Sequence, residues 1–263
     1  MKKIVAATLL ALGLAACATT EPKDETQGWT VDKLYSEARD ELNSGNYTRA
    51  IKLYETLEAR FPYGRYAQQA QLDLAYTHYK DGEPEQAIAA ADRFIKLHPS
   101  HANIDYIYYL KGLVYYNDDS TVLSKWAGQD LSERDPKSTR EAFLAFRELA
   151  TRFPDSQYAP DARDKMVKLV NALGGHEMHV ARYYMKRGAY LAAANRAQNV
   201  VKEYANTPYV EEALALMVSA YDSLGMQQLG GDSKRVLALN YPGSAYLKKP
   251  WTVHEMPWWK FWK

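Results

Sequence analysis

The densest concentration of chemically capable side chains is His176-Glu177-Met178-His179, a close cluster of histidine and carboxylate. Histidines at i and i+3 share one helical face and could hold a metal. No third ligand stands at motif spacing, so the competing reading is a solvated helix face, and no metal site is expected. His78, His98 and His101 fall into no shared constellation, and a structural role is expected for each. The sequence has no glycine-rich loop closed by Lys-Ser/Thr, no Gly-x-Ser-x-Gly elbow and no His-Glu-x-x-His motif. These observations predict a protein that binds rather than catalyses, with no cofactor.

Cys17 is the single cysteine, so neither an intramolecular disulfide nor a zinc cluster is available to it. Its position supplies another chemistry. Lys2 and Lys3 precede an apolar run, Ile4 to Leu14, that is too short to span a bilayer core of about 30 Å as a helix. The run ends in Leu14-Ala15-Ala16-Cys17, the pattern of a bacterial lipobox. Residues 1–16 therefore read as a signal peptide, and Cys17 as the site of lipidation. An ordinary signal peptide with an incidental cysteine is the alternative. Ala18 stands where an Asp would signal inner-membrane retention, so the expected address is the outer membrane, facing the periplasm. Acyl chains contribute about 0.8 kcal/mol per buried methylene, which anchors a protein without a transmembrane helix. Residues 17–30 are polar, contain Pro22 and Gly28, and read as a flexible tether.

Lys and Arg number 33 against 32 Asp and Glu, a balance that speaks against nucleic-acid binding. Hydrophobic residues make up 47% and charged residues 25%, enough to bury a core in a chain of this length. Aromatic usage is high, with 21 tyrosines and 6 tryptophans. Tyr76, Tyr79, Tyr106, Tyr108, Tyr109, Tyr115 and Tyr116 crowd one region, where packing between helices competes with a groove for an extended peptide. The last residues, 246–263, mix Trp251, Trp258, Trp259, Phe261 and Trp262 with lysines. That composition suits a bilayer interface or an aromatic anchor for a partner, and equally a tail folded back on the last helices.

The elements that must position these residues are written as a repeat. A helix breaker, a small residue five positions later, and an aromatic or His just before a Pro twelve further on recur: Gly45, Ala50 and Phe61-Pro62; Gly82, Ala87 and His98-Pro99; Lys137, Ala142 and Phe153-Pro154; Gly188, Ala193 and Tyr204; Gly225, Gly230 and Tyr241-Pro242. A second phrase follows, as in Phe61-Pro62-Tyr63-Gly64-Arg65-Tyr66 and Phe153-Pro154-Asp155-Ser156-Gln157-Tyr158. Apolar residues fall at helical steps, for example Phe143, Phe146, Leu149 and Phe153. No segment alternates as a strand. The reading is all-α: five tetratricopeptide-like helix pairs over residues 31–245, stacked as a right-handed α-solenoid. Each small residue marks a close helix crossing.

Two repeats are longer than the others. Extra residues between Tyr116 and Ala142 carry turn chemistry and predict a surface loop around Trp126. Those between Tyr158 and Gly188 amount to about four helical turns and predict one elongated helix, kinked or split at Gly174-Gly175.

The lipobox and repeats, with Arg60-Phe61-Pro62-Tyr63-Gly64, Gln71-Leu72-Asp73-Leu74-Ala75-Tyr76, Asp92-Arg93-Phe94-Ile95, the stretch Pro99 to Tyr106 and Asp130-Leu131-Ser132-Glu133-Arg134-Asp135-Pro136, make the chain similar to the BamD (ComL) family from about residue 14 to about 245. These are lipoproteins of the outer-membrane β-barrel assembly (BAM) machinery. The resemblance implies a periplasmic scaffold that binds the POTRA region of BamA, sits among other BAM lipoproteins and receives unfolded β-barrel precursors. It implies substrate recognition in the first repeats, at the turn Phe61, Pro62, Tyr63 and Gly64. Tyr76 is added because an extended chain needs apolar pockets beside free hydrogen-bonding groups, although Phe61 could simply close its own helix pair. The family's Asn-Arg pair for BamA corresponds to Asn195 and Arg196. From the residues alone, Arg196 could equally be an exposed side chain in a weak surface pair. The tryptophan-rich tail departs from the family pattern. The repeats by themselves would also suit a periplasmic lipoprotein serving a peptidoglycan-associated or other envelope complex.

Overall fold

A computed structural model describes residues 24–117 and 135–252. Cys17, the signal peptide, the segment around Trp126 and the tail from residue 253 lie outside them. Among the described residues there are ten α-helices, one short 3-10 turn and no strand: α1 (Val31–Ser44), α2 (Tyr47–Arg60), α3 (Arg65–Asp81), α4 (Pro84–Leu97), α5 (Ile104–Asn117), α6 (Pro136–Arg152), α7 (Ala159–Lys186), α8 (Tyr190–Glu203), α9 (Val210–Ser223), α10 (Gln227–Asn240) and the turn Ala245–Leu247. The all-α, tetratricopeptide-like reading holds. The chain forms two compact units, Met1–Ala70 and Gln71–Lys263, with the boundary inside α3.

The repeated phrases are helix terminators. α1 stops at Gly45, whose φ of +82° is open to glycine at no steric cost. Gly45 N–H donates to the Leu42 carbonyl at 3.1 Å and Asn46 N–H to that of Glu41 at 2.9 Å, the paired bonds of a Schellman ending. Gly82, Gly188 and Gly225 end α3, α7 and α9 in the same way, each with positive φ. The aromatic or His end of the following helix is equally constant. Phe61, His98, Phe153, Tyr204 and Tyr241 lie at φ from −124° to −133°, each donating its N–H to the carbonyl four residues back.

The small residues sit where the sequence reading puts close crossings. Ala50, Ala87, Ala142 and Ala193 are fully buried, and a Cβ on Gly230 would come within 2.7 Å of Asp222 Oδ1. Gly112 of α5 lies tightest, since a Cβ there would meet the fully buried Phe146 ring at 2.4 Å.

In the first unit Leu34, Ala38, Leu53, Tyr54 and Leu57 form the α1–α2 core. In the second, one cluster runs from Leu72 through Phe94, Ile107 and Phe146 to Leu169. A further cluster runs from Leu173 through Met178, Ala197 and Leu216 to Trp251. α7 is a single helix of 28 residues, about 42 Å long at 1.5 Å per residue. It runs unbroken through Gly174 and Gly175, both buried. A Cβ on Gly174 would lie 3.1 Å from Thr207 Oγ1 and 3.4 Å from Tyr204 Cβ, so this glycine lets the end of α8 approach.

Candidate functional site

Three places matter, and each is built by the ends or flanks of helices. The first is the α2–α3 turn of the first unit. Phe61 ends α2 and is half-buried, whereas Pro62, Tyr63 and Gly64 are exposed. Gly64 has φ +95°, which turns the chain into α3. Tyr63 is 90% exposed, the most exposed large hydrophobic side chain among the described residues. Its neighbour Tyr66 is already used: the ring lies 5.3 Å from that of Tyr35, the hydroxyl donates to Asp32, and the Arg65 guanidinium sits 4.9 Å over its face. Tyr76, the other residue assigned to this surface from sequence, belongs to the second unit. There it is half-buried, with its ring 6.3 Å from that of Tyr79.

The second place is the α7–α8 flank. Asn195 and Arg196 are both exposed on α8. Arg196 Nη1 donates to both carboxylate oxygens of Glu177, at 3.2 and 3.4 Å. Glu177 is almost buried, its side chain 11% exposed, while that of Arg196 is 47% exposed. Arg196, read from sequence as a partner contact or a weak surface pair, is thus paired with a carboxylate of its own chain. Nη1 is engaged, while about half of the Arg196 side chain stays exposed to solvent. Glu177 belongs to the His176–His179 cluster, where His179 is exposed and His176 half-buried. No metal-binding group of three or more His, Cys, Asp or Glu occurs among the described residues.

The third place was not legible in the sequence. Arg182 of α7 holds Glu212 of α9 through Nε at 2.8 Å and Nη2 at 2.5 Å, and the Trp251 indole N–H donates to the same carboxylate at 3.1 Å. Ser219 donates to the Trp251 carbonyl at 2.8 Å. Burial pushes the Glu212 carboxyl up, but the Arg182 bonds and charge with the Trp251 bond outweigh it and leave the group below its usual range. Trp251, assigned from sequence to the tail, is thus buried and fastened to the last helices.

The crowded tyrosines resolve mainly into packing. Tyr109 stacks on Tyr158 at 4.8 Å and lies 6.0 Å from Phe146, and its hydroxyl donates to Asp161 at 2.6 Å. Burial first, then that bond to a carboxylate, raises the Tyr109 hydroxyl far above the ordinary phenol range. Arg152 donates to the Tyr108 hydroxyl at 3.0 Å.

Residues 28–248 match the protein family described as "YfiO: Outer membrane lipoprotein". The chain belongs to this family. Relatives named "Outer membrane protein assembly factor BamD" include one from Neisseria meningitidis serogroup B, 59% identical with all of both chains covered. One from Xylella fastidiosa (strain Temecula1) is 37% identical over 90% of this chain and 82% of its own. One from Vibrio cholerae is 35% identical over 91% of this chain and 99% of its own. Among solved structures, MamA matches with a TM-score of 0.39 at 15% identity, covering 87% of this chain and all of its own. PilW, a type IV pilus biogenesis factor, matches at 0.35 and 14%, covering 84% and 98%. None of the described helices is long and apolar enough to cross a bilayer.

Proposed function

We propose that this chain is a lipid-anchored, non-enzymatic scaffold of outer-membrane β-barrel assembly, acylated at Cys17, facing the periplasm and binding both BamA and unfolded barrel precursors. The observation that carries this reading is the 59% identity, over the full length of both chains, to relatives named as outer-membrane protein assembly factors. In this reading the five helix pairs are tetratricopeptide repeats that act as one protein-binding array. The exposed turn Phe61–Gly64 is the contact for precursors, with Tyr63 offering an apolar ring and a hydroxyl to an extended chain. Asn195 and Arg196 are the contact for BamA.

The Glu177 pair dictates how the BamA contact must be tested. Reversing the charge with Arg196→Glu would set a second carboxylate against an almost buried one, which damages the fold itself. Arg196→Lys keeps a cation beside Glu177 but removes the planar fork that can serve two carboxylates at once. The expected result is a folded protein whose affinity for BamA falls about tenfold, the equivalent of about 1.4 kcal/mol. Affinity purification from detergent extracts tests the whole reading, because it requires BamA to co-purify with the wild-type chain. Purification without BamA would contradict it.

A further inference from the structure

The polar stretch that the sequence presents as tether is, in its second half, a folded clip. Asp24 accepts from the Thr26 amide at 2.9 Å and from its hydroxyl at 2.6 Å, and Trp29 N–H donates to the Thr26 carbonyl at 3.0 Å, closing a tight turn. Arg60, the last residue of α2, then grips this turn from 34 to 36 residues away. Its Nη1 donates to the Thr26 carbonyl at 2.7 Å and its Nη2 pairs with Asp24. Arg49 approaches Glu25 at 3.5 Å, and Lys33 Nζ lies 4.3 Å over the Trp29 ring. Arg60, Arg49 and Lys33 thus hold the segment on the first unit, through Asp24, the Thr26 carbonyl, Glu25 and Trp29.

This changes the length of the leash. If residues 24–30 are fastened, only residues 17–23 separate the anchor from the folded body, about 25 Å fully extended at 3.3 to 3.6 Å per residue. Without the clip the free chain would run to α1 at Val31, about twice that length. The clip also fixes which end of the unit is held short. Arg60 precedes Tyr63 by three residues, so their Cα atoms are at most about 11 Å apart at 3.8 Å per step. The end that receives the leash is therefore the end that exposes Pro62, Tyr63 and Arg65. Tyrosine and arginine are the residue types that suit the headgroup layer.

We propose that the Arg60 clip docks the end of the first unit carrying Tyr63 and Arg65 onto the headgroup surface of the membrane that holds the lipid anchor. This inference rests on the acylation of Cys17 proposed above, and it places the precursor-contact turn at the bilayer rather than at the end of a long free tether. Because Cys17 is the only native cysteine and is consumed by the lipid, an added Ala59→Cys in the last turn of α2 gives a single labelling site.

The test uses full-length acylated protein carrying a fluorophore at that position, on vesicles of phosphatidylethanolamine and phosphatidylglycerol with an acceptor in the headgroups. Energy transfer should be high with the clip intact and fall by about half in both Arg60→Ala and Asp24→Ala, as the leash doubles, while the protein still floats with the vesicles and keeps its helical content. High transfer that neither substitution changes would overturn the clip as the docking device, and low transfer in the intact protein would overturn the docking. A wild-type chain that does not float with vesicles would overturn the acylation reading and, with it, this inference.

Discussion

Two turns of this molecule share a phrase and a backbone yet put their side chains to opposite uses. Phe61 and Phe153 end their helices at nearly the same torsions, φ −129° and ψ 67° against φ −130° and ψ 64°, and each is followed by proline and, five residues on, by tyrosine. In the second turn nearly everything is absorbed by packing. The Phe153 ring lies 5.5 Å from that of Tyr108, Ser156 donates to Asp105 at 2.6 Å, and Tyr158 stacks on Tyr109. In the first turn Tyr66 is likewise absorbed, against Tyr35 and Asp32, but Tyr63 points 90% into solvent where the second turn carries Asp155. The contrast teaches where to look for function in a repeat protein. The shared phrase builds the scaffold, and the position free of that duty is where a phenol ring is left over.

The comparison can be broken most severely at its packed side. Tyr158→Ala removes a stacked, half-buried ring that touches both Tyr109 and Tyr106. It should cost about 2 to 3 kcal/mol in chemical denaturation, below the 3 to 5 of a fully buried aromatic.

A smaller effect is expected at the other absorbed aromatic, Trp251, through its carboxylate. Because the Glu212 carboxyl in the folded protein lies below its unfolded value of 4.5, its stabilisation is fully present above that pH and is lost as pH falls through the folded value. Charge-assisted bonds of this kind contribute about 1.5 to 3 kcal/mol, reduced by partial exposure to about 1 to 2. Wild type should therefore exceed Glu212→Gln in melting temperature at pH 7, with the gap closing below about pH 4.5; a gap independent of pH would mean that packing, not charge, holds Trp251.

Ser156→Ala removes the hydrogen bond donated to Asp105 and the longer one accepted from the Tyr158 amide, and should cost about 1 kcal/mol, measurable as a shift in denaturation midpoint without a change in slope. Tyr63→Ala, by contrast, should stay within about 0.5 kcal/mol of wild type. If it destabilised the fold as Tyr158→Ala does, the distinction between the two turns would be gone.

Much of the fold was legible because helix ends and close crossings are local events. The glycines at 45, 82, 188 and 225, the aromatic or His terminators and the small residues of the crossings each declare themselves within a few positions. The elongated α7 was legible from its length in whole turns, but its continuity through Gly174 was not, since Thr207 and Tyr204 approach it from the end of another helix. The ion pairs were hidden for the same reason. Glu177 and Arg196 are 19 residues apart, Arg182 and Glu212 are 30 apart, and Asp24 and Arg60 are 36 apart. No spacing rule links such residues, because the stacking of helices, and not the helical period, brings them together. Polar composition made residues 24–30 look like free tether, and aromatic composition made Trp251 look like tail. In both cases a distant arginine or its carboxylate partner decides the matter.

The central claim, that a barrel precursor is met at the turn whose aromatic is surplus to packing, is tested most directly by site-specific photocrosslinking in cells. A photoreactive residue is placed at Tyr63 in one strain and at Asp155 in another, two exposed positions of the same phrase. The account predicts a crosslink to unfolded barrel precursor from position 63 and none from position 155. Equal crosslinks from the two turns, or a crosslink from position 155 alone, would contradict it.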